Sequence, residues 1–156
     1  MTDVRKRAHR RKFDSSSHAA VLGAKGEVRA RQLIEDALDA MCSSMHMRVG
    51  STDPRANGIL GDITLSRSPI DAASIGIEVK TCSTRYPDSF CLSGFEFDES
   101  RASWVFVLNE DEAAGVWIVS MEDVRRHSSL SSSGEYFICR PPLSSHIDFD
   151  SFIDTL

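Results

Sequence analysis

Asp62, Glu78 and Lys80 lie in the stretch Gly61–Lys80, GDITLSRSPIDAASIGIEVK, and are of the types that handle a charged reaction centre. Ile63 and Leu65 alternate along one short β-patterned run, and Ile75, Ile77 and Val79 along a second. The apolar residues of each run share a face, so Asp62, Glu78 and Lys80 fall on the opposite faces. Pairing of the two runs as a hairpin would gather two carboxylates and an ammonium on one patch of sheet. Such a patch costs free energy unless a cation or a substrate uses it. The competing expectation is a cluster of surface ion pairs on a half-exposed sheet, worth little to stability.

The elements that must position these groups follow from the pattern on either side. Ser15, Ser16 and Ser17 offer N-caps for a helix whose apolar stripe is Ala30, Leu33, Ile34, Ala37, Leu38 and Met41. Extending that stripe backward puts Glu27 at its head, with Gly23 and Gly26 allowing close backbone approach nearby. Glu27 is then either a site carboxylate or a first-turn glutamate favoured by the helix dipole. His46–Val49 reads as a short strand and Ser51–Gly58 as a connecting loop, while the two central runs are separated by a turn around Ser68, Pro69 and Asp71. Thr81–Ser89 is polar and turn-prone; Phe90–Leu92 is a short apolar piece, and Ser93 caps a brief helix through Glu96 and Glu99 towards Ala102. Trp104–Leu108 and Val116–Val119 are nearly all apolar, which suits strands covered on both faces, with an acidic turn between them. Trp104 and Trp117 are expected in the core. Met121–His127 reads as a short helix, Ser128–Gly134 as a loop, Glu135–Cys139 as a last strand stopped by Pro141 and Pro142, and Asp148–Leu156 as a small amphipathic helix. This order predicts an α/β fold, a mixed central sheet of about five strands flanked by helices, with polar sites at its open ends or a splayed edge.

Composition sets the frame. A chain of 156 residues, 41% hydrophobic and 26% charged, suits one domain with its own core. Cys42, Cys82, Cys91 and Cys139 show no metal-site spacing and are expected to be reduced packing residues. No apolar run is long enough to span a bilayer and no signal peptide is legible, so a cytoplasmic protein is expected. The net charge of −5 hides a split: in residues 1–12 Arg5, Lys6, Arg7, Arg10, Arg11 and Lys12 face only Asp3, a net of +5, leaving −10 on residues 13–156. A basic arm (residues 1–14) on an acidic body is expected either to touch a nucleic acid or to be a solvated terminus. The five histidines have neither ligand nor triad spacing.

An acid two residues before a lysine is weak on its own, but of Lys6, Lys12, Lys25 and Lys80 only Lys80 has one. With Glu27 in GAKGE, Asp62 in GDITL, and Glu78 with Lys80 in IEVK, in that chain order, the sequence resembles the PD-(D/E)XK nuclease superfamily. Ser89–Glu96 (SFCLSGFE), between IEVK and WVFVL, is similar to the nuclease-like domain of NO VEIN type and restriction-associated proteins. The likeness covers roughly residues 20–120. Gly61 stands where the superfamily's name has proline, a variation the family tolerates. A literal Pro87-Asp88 follows the Glu-x-Lys and reads as a turn.

The resemblance implies a restriction endonuclease-like fold for residues 15–156 and a Mg2+-dependent DNA endonuclease, with Mn2+ as a substitute ion. Phosphodiester hydrolysis needs a water made nucleophilic beside an anionic phosphate, and a hard divalent ion on carboxylates supplies that. The implied ligands are Asp62, Glu78 and the Val79 carbonyl. Lys80 would hold or deprotonate the attacking water, and Glu27 would orient water or help hold a second ion. Thr81, Ser83, Arg85 and Tyr86 suit a nucleic-acid backbone or are a solvated loop. A small catalytic domain cuts one strand per site, so a restriction- or defence-related role would call for a homodimer. No recognition motif is legible, so specificity is expected from loops, the arm, oligomerisation or a protein partner. The alternatives are a non-catalytic DNA-binding module on a nuclease scaffold, and a nuclease specific for branched or junction DNA.

Overall fold

The computed structural model describes residues 18–49, 61–67 and 74–156. The N-terminal arm, the expected loop at 51–58 and the turn around Ser68 lie outside the described residues. The chain runs α1 (His18–Ala40), β1 (His46–Val49), β2 (Ile63–Ser66), β3 (Ile75–Cys82), β4 (Phe90–Ser93), α2 (Gly94–Glu99), β5 (Trp104–Asn109), β6 (Val116–Ser120), α3 (Met121–Arg126), β7 (Ser128–Leu130), β8 (Tyr136–Cys139), β9 (Ile147–Asp148) and α4 (Phe149–Asp154).

Six strands form the central sheet in the order β1-β2-β3-β5-β6-β9, and β4-β8-β7 form a second, smaller sheet. β1, β2 and β3 are an antiparallel meander, with Ile63 opposite Ile77. β3 and β5 are parallel, with Glu78 opposite Val105 and Lys80 opposite Val107, and β5 returns antiparallel to β6. The fold is therefore α/β with a mixed central sheet, as the pattern predicts.

Alternation along β3 and β5 divides the interior into two layers. Ile77, Val79, Phe106, Leu108 and Ile118 pack with Ala30, Ile34 and Leu38 of α1 and with Phe152 and Ile153 of α4. The other face, Cys82, Val105, Val107 and Val119, packs against Phe90, Leu92, Phe137 and Cys139 of the small sheet and Met121 and Val124 of α3. Trp104 joins the first layer, edge-on to Phe152, and Trp117 packs against the second.

The second face differs from expectation, because a sheet covers much of it where helices were predicted. Ser128–Gly134 is not all loop: Ser128–Leu130 is a strand paired with β8, and β8 pairs with β4 instead of entering the main sheet. Cys82 and Cys139 are buried as expected, whereas Cys42 and Cys91 are exposed; all four are free thiols. Among the described residues no helix is long and apolar enough to cross a membrane.

Candidate active site

β2 pairs with β3 only as far as Ile77, while β3 runs on to Cys82. The notch this leaves in the sheet is where the polar residues meet. Asp62 stands just before β2, its N–H donating to the Ile77 carbonyl at 2.9 Å. Its carboxylate then accepts the Val79 N–H at 2.8 Å, continuing the ladder with a side chain. A strand residue's N–H and C=O point to the same edge. The Val79 carbonyl therefore faces the Asp62 side.

Gly61 makes this turn possible. Its φ of +93° is open to glycine and closed to proline, and a Cβ there would lie 2.6 Å from the Ile77 carbonyl oxygen. Proline at position 61 would therefore not fit in this chain.

Glu78 and Lys80 point to the second face of β3, the side of Cys82. Glu78 is 7% exposed and accepts from the Ser100 hydroxyl at 3.4 Å. Burial raises its pKa well above the ordinary carboxylate value, and the neighbouring Asp62 and Glu96 raise it further. Asp62, which also hydrogen-bonds Glu78, is raised by burial against the lowering pull of Lys80. The ammonium of Lys80 pairs with Glu96. Burial works against its charge, but Glu96, then Glu78 and Asp62, outweigh it and hold the ammonium firmly protonated.

Glu96 is the site residue that sequence reasoning missed, having been placed only as a point along a short helix. It is the third residue of α2 and closes a reciprocal cap: its N–H donates to Ser93 Oγ at 3.0 Å and its Oε1 accepts the Ser93 N–H at 3.0 Å. The remaining oxygen, Oε2, takes Lys80. Two contacts fix α2 in place. Phe97 stacks on Phe137 with centroids 3.9 Å apart, and Arg125 of α3 donates to the Phe97 carbonyl at 3.1 Å and to that of Ser100. The S-x-x-E pattern at Ser93–Glu96 signals the cap; nothing in the sequence signals its second use.

Glu27 arrives from α1 on the first face. α1 has no acidic residue in its first turn, and Glu27 lies in the middle of the helix, so the dipole account of it fails. Gly26 lets the helix touch β3: a Cβ there would meet Thr81 Oγ1 at 2.3 Å. Gly23 has no such neighbour. Arg29 fixes the helix at its other side, donating to the carbonyls of Asn109 at 3.3 Å and Glu112 at 2.5 Å. Burial, then the charge of Asp62, raise the Glu27 carboxyl to about 7, with Lys80 pulling it down.

Four carboxyls and one ammonium, from α1, the approach to β2, β3 and α2, therefore converge on the notch. All four expected residues, Glu27, Asp62, Glu78 and Lys80, are together. Arg85 and Ser83 lie in the loop beyond β3, and Pro87-Asp88 is a turn. Arg5, Lys6, Arg7, Arg10, Arg11 and Lys12 are outside the described residues.

The donor set suits a hard cation: one ammonium among four carboxyls leaves negative charge that burial makes unfavourable. Among the described residues no three His, Cys, Asp or Glu side chains stand in metal-ligating arrangement. Magnesium needs only one or two carboxylates and completes its shell with water. Asp62, Glu78 and the Val79 carbonyl are the groups able to supply them. No protein-family model matches this chain, and no curated protein matches it.

Proposed function

We propose that this protein is a magnesium-dependent DNA endonuclease of the PD-(D/E)XK type. One observation carries the proposal: Glu27, Asp62, Glu78 and Lys80, far apart in sequence, meet at one notch with their carboxyl pKa values raised. Structural ion-pair networks also perturb pKa values, but three raised carboxyls around one ammonium are a poor network, and Asp62 with Glu78 meets the one or two carboxylates that magnesium needs.

Asp62 and Glu78, with the Val79 carbonyl, would hold the ion, which when bound supplies charge neutralisation at the phosphate and a more acidic water. Lys80 stays protonated beside Glu96. Its role is then to hold a nonbridging phosphate oxygen or the attacking water, because an ammonium so stabilised is a poor base. Glu27, whose carboxyl changes state near neutral pH, orients water from the α1 side.

Asp62→Ala, Glu78→Ala and Lys80→Ala are each expected to reduce Mg2+-dependent cleavage of duplex, single-stranded or branched DNA by at least about a thousandfold, with the circular dichroism spectrum unchanged. Cleavage by any of them at the parent rate would remove that residue from the mechanism. Restriction or defence work by a homodimer would show as paired cuts on opposite strands.

A second reading, a DNA-binding module without turnover, has one observation in its favour: the net charge of +5 on residues 1–12, set against −10 on residues 13–156. DNA binding without any metal-dependent product would establish it.

A further inference from the structure

Beyond β3, the chain forms a groove of about 370 Å³. Arg85, Tyr86 and Pro87 line it from the loop after β3, and Arg140, Pro141 and Pro142 from the segment after β8. These two walls are tied to each other. Trp117 of β6 donates its indole N–H to the Pro87 carbonyl at 3.2 Å and stacks on His146, with centroids 3.8 Å apart and planes 6° from parallel. His146 Nε2 is 3.0 Å from the Pro141 carbonyl oxygen on the opposite wall. The Cys82 thiol also donates to the Pro87 carbonyl, at 3.3 Å. Cys82 lies two residues beyond Lys80 on the same face of β3, so its bond to Pro87 ties this wall of the groove to the strand that carries Lys80. The groove is braced by these contacts and shares β3 with the notch.

Its chemistry narrows what it can bind. Neither Arg85 nor Arg140 pairs with a carboxylate among the described residues. Tyr86 is 53% exposed, and the Arg85 guanidinium lies over its ring at 5.3 Å from the centroid. Asp88 also lines the groove, so the local excess of positive charge is a single unit. That is too little to hold a polyanion by charge alone, and an acidic peptide has no use for the ring. A nucleobase does, because stacking on an aromatic face is sequence-tolerant and adds to phosphate contacts. A groove of about 370 Å³ has the volume of a small-ligand site and cannot enclose a duplex.

We infer that this groove binds a single nucleic-acid strand beside the notch, with phosphates on Arg85 and Arg140 and one base on Tyr86. The inference rests on the nuclease proposal only for placing that strand next to the scissile phosphate. It makes the substrate class a single strand, or a duplex locally opened at the site of cutting.

The test is fluorescence anisotropy of a labelled single-stranded oligodeoxynucleotide of about 12 nucleotides with the full chain, in chelator so that no cleavage intervenes. Arg85→Ala with Arg140→Ala is expected to weaken binding at least about tenfold and to lower the log–log salt slope by about 1.4. Tyr86→Ala is expected to weaken it about tenfold at unchanged slope. A 5-bromodeoxyuridine oligonucleotide should cross-link to the peptide carrying Tyr86. Binding by the double variant within twofold of the parent, displacement by polyglutamate as effective as by unlabelled oligonucleotide, or cross-links only outside 83–89 and 140–143 would each overturn the inference. Strand binding in the groove without metal-dependent cleavage would defeat the nuclease proposal alone. Cleavage with an unchanged KM in the double variant would defeat the groove alone.

Discussion

A carboxyl raised to about 7 works against the fold at neutral pH, and Glu27 is such a group. The ordinary value is 4.5, so between pH 4.5 and 7 the native state binds more protons than the unfolded chain and stability falls as pH rises. Asp62 and Glu78, raised as well, act in the same direction, and Glu96, lowered by Lys80 in spite of its burial, opposes them. Glu27→Gln removes one of the raised groups while keeping its size. It is expected to stabilise the protein at about pH 8 by on the order of 2 kcal/mol, a gain that disappears near pH 4.5. Denaturant unfolding at the two pH values checks this; an equal effect at both would mean that the carboxyl is not held in its neutral form by its surroundings. The expected gain in stability on removing a charge is itself a mark of a site kept for something other than folding. At this scale the sequence was most informative where a residue's type restricts its use. Lys80 is the one lysine with an acid two positions before it, whereas the left-handed backbone of Gly61 shows only in the structure. Ser93 was legible as a cap, but Glu96 was not legible as the partner of Lys80, because that contact joins a helix start to a strand face and leaves no trace in local spacing.

The same contrast between local and non-local signals runs through the elements. β2, β3, β5 and β6 were legible because alternation and apolar runs are local patterns, and α2 because its cap is. The small sheet was not. β7 is Ser-Ser-Leu, which has no strand pattern of its own, and it is a strand only because β8 offers it a ladder, while β8 in turn pairs with β4 across a long sequence separation. Element packing also reverses a local preference at Gly26. Helix propensity alone says that Gly26→Ala should stabilise α1 by about 1 kcal/mol. The Cβ would meet Thr81 Oγ1 at 2.3 Å, so the variant is expected instead to lose about 1–2 kcal/mol and to shift Glu27 away from Asp62, lowering any cleavage rate. Thr81→Ala removes that oxygen, at the cost of its 3.4 Å contact to the Leu22 carbonyl. Gly26→Ala with Thr81→Ala should therefore recover the loss, and thermal unfolding of the two single variants and the double measures the coupling. Strict additivity would show that α1 does not rest on β3 at this point.

For the molecule as a whole, the two layers meet at the notch with more negative charge than the fold neutralises. Glu27 comes over one face, Glu78, Lys80 and Glu96 lie on the other, and Asp62 bridges them along the strand edge. The pH at which the unbound protein is under most electrostatic strain is therefore the pH at which a divalent cation should stabilise it most. At about pH 8, magnesium at about 100 times its dissociation constant is expected to add about 3 kcal/mol, which for a chain of this size is roughly 5–10 °C in Tm. Protons compete for the same carboxyls, so the shift should shrink near pH 5. A chelator should reverse it, and Asp62→Ala or Glu78→Ala should remove it, while Arg85→Ala, in the groove beyond β3, should leave it intact. Differential scanning calorimetry with magnesium, with manganese and with sodium at matched ionic strength separates ligation from screening. A shift shared by all three salts, or one retained in Asp62→Ala, would place the ion elsewhere and leave the notch as a charge cluster. No shift with either divalent ion would favour the binding module over the nuclease, since the carboxyls would then be balanced by protons and Lys80 alone.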